Sequence, residues 1–432
     1  MNKILHTLKI VFFVAVTAVM ASSCREEGFE KIEIPTPNPG GETGTRTVLV
    51  YMLADNSLNE YLWANIDQML KGLEAAGSDA ANSNLLVYID PKTSDPTLKT
   101  ATTTDEHGSV PRLFHLSVDA YGNPQREVIK YYEERFSGSG EALKEVIDEV
   151  VALYPADEYG LILSAHGLSW IPASAEFGAS SYSAFSTMRE YDENGLDADG
   201  LPMTKYLGPD GSTKAGNFME VEDMLEGIAD NKFKFIVFDA CYMASVELLY
   251  ELRNKAEYFI ASTSEIYAPG FAYEYTVPLM LAPSLSLEKV ADAFYKFYAE
   301  HSSEVMHSVT VSLIKSSEMK NLAPIMREII QANKTGAKNI TLSSVQRFDR
   351  NSYRVMFDLG HYVSQIATQQ QAEALNAQMR KTAIYTNHTD IAFTIPINHY
   401  SGLAIYIPSP SSGYTSRNEA YTETEWYQYI WE

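Results

Sequence analysis

The sequence predicts an α/β protein in which helices cover both faces of a mostly parallel β-sheet. Segments typical of strands alternate with segments typical of helices from Arg46 onward, and the strands are nearly continuous apolar runs, as in sheets buried on both faces. The chain has 432 residues, of which 45% are hydrophobic and 12% aromatic. This is enough for one large core or two modest ones without disulfide bonds.

The elements follow from local patterns. A compact β-branched and apolar run predicts the first strand at 47–53, and Asp55-Asn-Ser predicts a cap for a helix that extends to Leu73. From Leu143 to Tyr154, apolar residues recur at the three-and-four spacing of a helix that buries one face. Further strands are predicted at 85–89, 112–116, 159–165, 233–239 and 258–261, and further helices at 221–228 and 244–253.

Two of the predicted strands end in residues that could form a catalytic dyad. Tyr159-Gly-Leu-Ile-Leu-Ser-Ala-His-Gly167 ends in an imidazole, and Phe235-Ile-Val-Phe-Asp-Ala-Cys-Tyr-Met-Ala-Ser-Val-Glu247 delivers the thiol of Cys241 to the start of a predicted helix. Sites in parallel sheets form where strands end at their carboxyl edge. We therefore expect His166 and Cys241 to lie together there, although a buried cysteine at a strand end is more often an inert small hydrophobe.

The chemistry open to such a pair is nucleophilic. A thiol at a helix N-terminus and near an imidazole is more often the attacking thiolate. Backbone N–H groups of Gly167 and Cys241 could stabilise the oxyanion formed on attack, with glycine permitting close approach. His166 would then protonate the leaving amine and later activate water.

The first residues are typical of an export signal. An apolar stretch at 10–20 follows two lysines and is too short to span a bilayer comfortably, and Ala21-Ser22-Ser23 before Cys24 resemble a bacterial lipobox. We expect a signal peptide at 1–23, lipidation of Cys24, and a flexible Pro- and Gly-rich linker at 24–45. The exported lipoprotein would then lie in the cell envelope, periplasmic or surface-facing at the outer membrane, and free secretion is the alternative.

The charge of the chain restricts its partners. Its 33 basic and 56 acidic residues give a net charge of −23, and loss of 1–23 removes two lysines and no acidic residue, which leaves −25. Such a charge disfavours nucleic acid and anionic lipid headgroups as partners and is consistent with a basic peptide substrate.

A polar, Gly-rich stretch at 170–217 interrupts the strand-helix alternation, and we interpret it as a surface insertion near the site, a lid or a cleavage loop. Within it, Asp192-Glu-Asn-Gly-Leu-Asp-Ala-Asp-Gly200 offers clustered oxygen atoms for calcium. It lacks the acidic residue that closes an EF-hand loop, so a solvated acidic turn is the preferred interpretation. No metal or other cofactor is predicted.

Several motifs together carry a family resemblance. Leu161-Ile-Leu-Ser-Ala-His-Gly167 with Trp170, and Phe238-Asp-Ala-Cys-Tyr-Met-Ala-Ser-Val-Glu247, resemble the His-Gly and Asp-Ala-Cys motifs of the clostripain family of cysteine peptidases, relatives of caspases, legumain and gingipains. Tyr51-Met-Leu-Ala-Asp-Asn-Ser-Leu58, Tyr154-Pro-Ala-Asp-Glu-Tyr-Gly160 and Ser401-Gly-Leu-Ala-Ile-Tyr-Ile-Pro408 agree with it. The resemblance extends from Arg46 to the C-terminus.

This resemblance implies a caspase-like three-layer sandwich, with a catalytic domain at 46–300 and a C-terminal part at 301–432 that continues it or packs on it. It also implies His166 as general acid and base, Cys241 as nucleophile, and Asp239 in the S1 pocket, where an anionic group would select Arg or Lys. Asp239 could instead cap the following helix. Glu265 is a second candidate for the S1 pocket, or a solvated loop residue.

The chain departs from the family pattern in one place, since His-Gly-Leu-Ser-Trp stands where His-Gly-x-Gly-Trp is common. Some family members are activated by internal cleavage between the two motifs and some are associated with calcium. Arg189, Lys205 and Lys214 are possible cleavage sites here, with none preferred.

The predicted function is therefore that of a cysteine endopeptidase that cuts peptides after Arg or Lys. A non-catalytic surface binding protein on a peptidase scaffold is an alternative, which the presence of both dyad residues disfavours. A transpeptidase is a third possibility, since an amine can resolve the same acyl-enzyme.

Overall fold

Nine strands form one sheet in the part of the chain that the computed structural model describes, which is residues 44–92, 110–119, 121–177, 196–205, 218–350 and 354–432. These residues belong to a single unit, Pro37–Glu432. Their strands are β1 (Gly44–Ala54), β2 (Ser83–Pro91), β3 (Arg112–Val118), β4 (Pro124–Tyr131), β5 (Ala156–Ser164), β6 (Phe233–Asp239), β7 (Ala256–Ala261), β8 (Thr310–Lys315), β9 (Phe357–Asp358), β10 (Ala383–His388), β11 (Ile391–Ala392), β12 (Ile395–Pro396) and β13 (Ala404–Ile405).

The large sheet has the order β10-β8-β7-β6-β5-β1-β2-β3-β4. Its five central strands, from β7 to β2, are parallel, whereas the two strands at each edge run antiparallel to their neighbours. The central strands are buried almost throughout, which explains why they are continuously apolar in sequence. The predicted mostly parallel α/β sheet is confirmed.

The helices divide between the two faces of the sheet. They are α1 (Asn59–Ala76), α2 (Gly140–Leu153), α3 (Ala173–Phe177), α4 (Val221–Gly227), α5 (Val246–Glu251), α6 (Tyr273–Leu281), α7 (Leu287–Ala299), α8 (Met319–Ala332), α9 (Lys334–Lys338), α10 (Leu359–Ile366), α11 (Gln369–Thr382), α12 (Thr415–Thr422) and α13 (Glu425–Trp431). Among them no helix combines the length and the apolar character needed to cross a bilayer.

The order in which strands are added to the sheet reverses between the parallel neighbours β1 and β5. The crossover from β1 through α1 leads to β2 on one side, whereas β5, β6 and β7 follow one another on the other side. Because such crossovers are right-handed, α1 lies on the face opposite to α4 and α5. Ligand sites form at this kind of switch point, beyond the carboxyl ends of the strands. The loops after β1, β5 and β6 all meet there.

Glycines allow the helices to pack closely on each face. The Cα of Gly72 in α1 lies against α6, where a Cβ would be 2.8 Å from the carbonyl oxygen of Tyr273. On the opposite face, Gly227 in α4 lies against Leu143 in α2. The first of these contacts fixes the start of α6, which contributes Tyr273 to the site described below.

The C-terminal part, 301–432, continues the sheet, because β8 pairs with β7 and β10 pairs with β8. It also supports the loop after β6. Strand β13 lies beside this loop, and the N–H of Ala404 donates to the carbonyl of Ala244 at 2.8 Å. The segment 401–408, part of the resemblance noted above, therefore braces the residues that follow Cys241.

The predicted elements differ from the structure in several places. Strands β4, β8 and β10 were not predicted, and β4 begins with the polar run Gln125-Arg-Glu127, unlike the buried apolar strands on which the prediction relied. The helix predicted at 244–253 begins at Val246, capped by the Ser245 hydroxyl, which accepts from the N–H of Leu248. The first strand begins at Gly44, inside the predicted linker. The predicted signal peptide, Cys24 and the rest of the linker lie outside the described residues.

Candidate functional site

The histidine and cysteine loops lie side by side. Strands β5 and β6 are parallel neighbours with Ser164 opposite Asp239, so that His166 and Cys241 each follow two residues beyond this pair. The Cα of Gly167 packs on the cysteine backbone, where a Cβ would lie 2.5 Å from the carbonyl oxygen of Cys241 and 2.9 Å from its nitrogen. Any side chain at Gly167 would separate the two loops.

Cys241 lies in a tight turn between β6 and α5. The next residue, Tyr242, has φ of 64°, a left-handed conformation that is costly for a residue with a side chain and is typical of functional sites. The thiol is buried, and its sulfur accepts from the N–H of Ile266 at 3.1 Å. Because α5 begins only at Val246, the thiol does not lie at the helix N-terminus, contrary to the sequence prediction.

A serine from the end of β1 contacts the imidazole. The Oγ of Ser57 lies 3.0 Å from Nε2 of His166. Ser57 is presented by a rigid loop, because the carboxamide of Asn56 accepts from the N–H of Leu58 and donates to the carbonyl of Leu53. The other imidazole nitrogen, Nδ1, is buried and has no hydrogen-bond partner among the described residues. Burial, with a smaller contribution from the charge of Lys205, lowers the pKa of His166 to about 3, so the imidazole is neutral at pH 7.

A lysine of the insertion occupies a pocket floored by Asp239. The Nζ of Lys205 lies 2.6 Å from Oδ2 of Asp239 and 2.9 Å from the Oγ of Ser164, and both charged side chains are fully buried. Burial lowers the pKa of Lys205, and the attraction of Asp239 opposes this effect. A buried carboxylate requires such a partner, since removing either charge from the pair is strongly destabilising.

The remaining walls of the pocket are also polar where they meet Asp239. The hydroxyl of Tyr273 donates to Oδ2 of Asp239 at 2.8 Å, and burial, together with this carboxylate, raises the pKa of Tyr273 well above its usual value. Gly270, at φ of 77°, forms the opposite wall, where a Cβ would lie 3.0 Å from Nζ of Lys205. The space at Gly270 therefore has no room for a residue with a side chain.

The backbone around Lys205 is held like an added strand. Its N–H donates to the carbonyl of Ile266, and the N–H of Ala268 donates to the carbonyl of Met203, both at 2.8 Å. The carbonyl oxygen of Lys205 accepts from the N–H of Gly167 at 3.1 Å. The carbonyl oxygen of Lys205 thus occupies the N–H of Gly167, which is the donor expected to stabilise an oxyanion. Residues 203–205 thereby cover the turn that contains Cys241.

Glu265 lies beside Thr204, not beside Lys205. Its Oε2 accepts from the Oγ1 of Thr204 at 2.7 Å and from Arg350 at 3.0 Å, and its Oε1 accepts from the hydroxyl of Tyr242 at 2.9 Å. The structure thus differs from both sequence interpretations of Glu265, since the residue neither contacts the buried lysine nor lies in solvent.

The acidic turn considered for calcium is only partly described, from Leu196 onward. Its Asp197 is buried, and Oδ2 accepts from Arg350 at 2.9 Å, while Asp199 accepts from the same guanidinium at 3.0 Å. The expectation of a fully solvated turn was wrong for Asp197, because an arginine far away in the sequence neutralises it. The described ranges contain no group of three His, Cys, Asp or Glu residues placed to hold a metal.

Trp170, the last residue of the histidine motif, is buried in an aromatic cluster with Tyr406 and Tyr421, whose ring centroids lie 5.3 and 5.4 Å away. Before it, Ser169 at φ of 60° makes the turn for which the common motif has a glycine, and its hydroxyl lies 2.6 Å from that of Ser245. The departure from the common motif is therefore accommodated by one left-handed serine.

Three residues of this site were not predicted from the sequence, namely Ser57, Ser164 and Tyr273. Ser164 alone had a local signal, because it ends the same apolar strand that leads to His166. Lys205 was named only as one of three possible cleavage sites. The other two, Arg189 and Lys214, lie outside the described residues.

Known proteins share both the sequence pattern and the fold. The sequence profile of the clostripain family, peptidase C11, matches residues 50–429. The chain belongs to the clostripain family. Clostripain of Hathewaya histolytica is 28% identical over 245 residues, which are 53% of this chain and 40% of that protein. The chain thus matches less than half of the length of clostripain.

Solved structures also match most of the chain. One is an inactive zymogen of a C11 protease from Parabacteroides distasonis, with 30% identity and a TM-score of 0.72 over 90% of this chain and 99% of that one. Another is a secreted C11 cysteine protease from Bacteroides thetaiotaomicron in complex with an irreversible peptide inhibitor, with 27% identity and a TM-score of 0.70 over 90% of this chain and 100% of that one. The predicted family and its caspase-like α/β fold are confirmed.

The buried ion pair predicts that Lys205→Met strongly lowers the stability of the intact chain. In a Cys241→Ala background, we expect the free energy of unfolding in urea to fall by about 3 kcal/mol, because Asp239 loses its cationic partner. Lys205→Met combined with Asp239→Asn should recover most of the loss.

The matched control is Lys144→Met, which removes an exposed lysine paired with Asp148 and should change the free energy of unfolding by less than about 0.5 kcal/mol. Equal effects of Lys144→Met and Lys205→Met would contradict the buried pair.

Proposed function

We propose that this protein is a cysteine endopeptidase that hydrolyses peptide bonds after lysine or arginine. The observation that carries the proposal is the position of Lys205, whose side chain fills the Asp239 pocket while its carbonyl meets the N–H of Gly167. Membership of the clostripain family supports the reaction class, and the inhibitor-bound relative from Bacteroides thetaiotaomicron supports a peptide as substrate.

In the proposed mechanism, a basic side chain enters the pocket and the peptide backbone pairs with 266–268. His166 takes the proton of the Cys241 thiol, the resulting thiolate attacks the carbonyl carbon, and the N–H groups of Gly167 and Cys241 stabilise the oxyanion. His166 protonates the leaving amine, which departs, and then removes a proton from the water that hydrolyses the thioester.

Nδ1 is the imidazole nitrogen proposed for these proton transfers. Ser57 is hydrogen-bonded to Nε2, which leaves Nδ1 without a partner in the described residues. In this proposal Ser57 fixes the ring orientation and is a positioning residue, in the manner of the group that orients the base in other nucleophilic enzymes.

The pocket is proposed to accept arginine as well as lysine. Lysine satisfies Oδ2 of Asp239, whereas Oδ1 is buried and has no hydrogen-bond partner among the described residues. A guanidinium carries two parallel N–H donors that match both oxygens of a carboxylate. The second N–H group of an arginine side chain could therefore donate to Oδ1 of Asp239.

The bond after Lys205 is proposed to be the first one that the protein cuts. While this bond is intact, Lys205 blocks the pocket and its segment covers the cysteine turn, so the uncleaved chain is a latent form. The resemblance to an inactive C11 zymogen supports this assignment. Cleavage would leave Lys205 as a chain end that can depart from the pocket.

For the N-terminal segment, we propose export through the signal at 1–23 and anchoring through a lipid on Cys24. The support is the lipobox-like sequence before Cys24, together with the inhibitor-bound relative from Bacteroides thetaiotaomicron, which is described as secreted. Calcium is not assigned a role, since Arg350 already neutralises the one acidic turn considered for it.

The proposed specificity predicts the outcome of a peptide assay. The assay uses peptides that differ only in having Lys, Arg, Asp or Asn before the reporter group. We expect the processed protein, cleaved after Lys205, to hydrolyse the Lys and Arg peptides at least 100-fold faster than the Asp and Asn peptides, because Asp239 requires a cation. Cys241→Ala and His166→Ala should abolish hydrolysis.

Full hydrolysis by Cys241→Ala would reject the mechanism. A preference for Asp or Asn would reject only the role of the pocket.

Substitution of Ser57 tests the role of its hydroxyl. We expect Ser57→Ala to lower kcat about tenfold with little change in KM, because the imidazole loses its orientation but the pocket is intact. Ser57→Thr, which retains a hydroxyl, should recover part of the rate, and Ser57→Ala should also shift the acid limb of the kcat profile against pH. An unchanged kcat and pH profile for Ser57→Ala would exclude the positioning role.

A further inference from the structure

The residue before Lys205 has its own binding partner. Thr204 is buried, and its Oγ1 donates to Oε2 of Glu265 at 2.7 Å. In addition, Thr204 lies opposite Tyr267 in an antiparallel bridge between the hydrogen bonds of Met203 and Lys205. The backbone pairing and the carboxylate therefore hold this residue together.

Glu265 is oriented before any substrate arrives. Its Oε1 accepts from the hydroxyl of Tyr242 at 2.9 Å and from Nε of Arg350 at 3.1 Å, and its Oε2 accepts from Nη2 of Arg350 at 3.0 Å. Both side chains of this ion pair are almost fully buried, with 1% of Glu265 and 4% of Arg350 exposed. Since bidentate pairs of this kind have fixed geometry, Oε2 presents an acceptor in a defined direction.

Tyr242 and Ile266 link Glu265 to the reacting groups. Tyr242 directly follows Cys241, and Ile266, the residue after Glu265, donates its N–H to the sulfur of Cys241. A substrate peptide that pairs with 266–268 as residues 203–205 do must therefore place one residue against the Glu265 carboxylate. This is the residue immediately before its basic residue, at the position of Thr204.

We propose that Glu265 is a specificity-determining residue that selects threonine, and less strongly serine, immediately before the basic residue at the cleaved bond. This inference rests on the proposed function, because it assumes that Lys205 lies where the basic residue of a substrate lies. The hydroxyl of threonine or serine can donate to Oε2 of Glu265, whereas valine has the shape of threonine but no hydrogen-bond donor. With valine at this position, the buried carboxylate of Glu265 would thus lose one of its hydrogen-bond donors.

The first test compares two peptides with the processed wild-type protein. The peptides are Leu-Pro-Met-Thr-Lys and Leu-Pro-Met-Val-Lys, each followed by the same reporter, so that only the hydroxyl differs. We expect kcat/KM for the Thr peptide to exceed that for the Val peptide roughly 10- to 100-fold, the range of a hydrogen bond to a charged group. Equal values for the two peptides would overturn the proposal.

The variant Glu265→Gln assigns the effect to this carboxylate. We expect it to lower the Thr-to-Val ratio to about 1–3. The matched control is Glu257→Gln, which changes an exposed glutamate of β7 and should leave the ratio at its wild-type value. A ratio that Glu265→Gln leaves unchanged would also overturn the proposal.

A measurement without catalysis separates this proposal from the proposed function. In the uncleaved Cys241→Ala chain, Thr204→Val should lower the melting temperature by about 2–4 °C, and by clearly less when Glu265→Gln is also present. If no Lys or Arg peptide is hydrolysed, the proposed function fails, and this double-mutant comparison alone decides whether Glu265 recognises the hydroxyl. Equal effects of Thr204→Val in the two backgrounds would contradict that recognition.

Discussion

The ion pair between Lys205 and Asp239 is the interaction on which the rest of this site depends. A carboxylate at the end of a buried strand is costly unless a cation and hydrogen-bond donors stabilise it, and here Lys205, Ser164 and Tyr273 all donate to Oδ2 of Asp239. The chain provides the cation from its own insertion. In the proposed function, the same need for a cation explains both a latent state, in which Lys205 fills the pocket, and selection of basic substrates once Lys205 leaves it.

The fold delivers these groups to one place through its topology. Because the chain order reverses between β1 and β5, the loops after β1, β5 and β6 all open at one edge of the sheet. They provide Ser57, His166 and Cys241, respectively. The loop after β7 provides Ile266, which contacts both the sulfur and the backbone of the inserted segment. Each of these groups thus follows the end of a different strand, as precise positioning requires.

Local sequence patterns predicted the buried strands that lead to the site, because the burial of a strand is encoded in its own residues. The strand before Cys241 was predicted to the residue, and the strand before His166 was predicted with its end correct to one residue and its start three residues late, because buried parallel strands must be apolar and must end in polar loops. Asp239 was placed in a pocket only through the family resemblance. Ser57 could not be predicted, since an exposed serine after a strand has no distinctive pattern and its role depends on the neighbouring strand.

Other features escaped prediction because their partners are remote in sequence. Arg350 contacts Asp197 and Glu265 across 153 and 85 positions, which no local pattern encodes. The start of α5 at Val246 was missed although Ser245 is a good N-cap, because the apolar run continued through both sides of the turn. The left-handed Tyr242, which makes that turn possible, is unusual for an aromatic residue.

The central claim, that Lys205 occupies the pocket as the protein's own substrate, is tested most directly by N-terminal sequencing of the chains that form when the purified protein is incubated. The account predicts a new N-terminus at Tyr206, absent from Cys241→Ala. Processing by the active protein that leaves the bond between Lys205 and Tyr206 intact, with full activity against basic peptides, would contradict it.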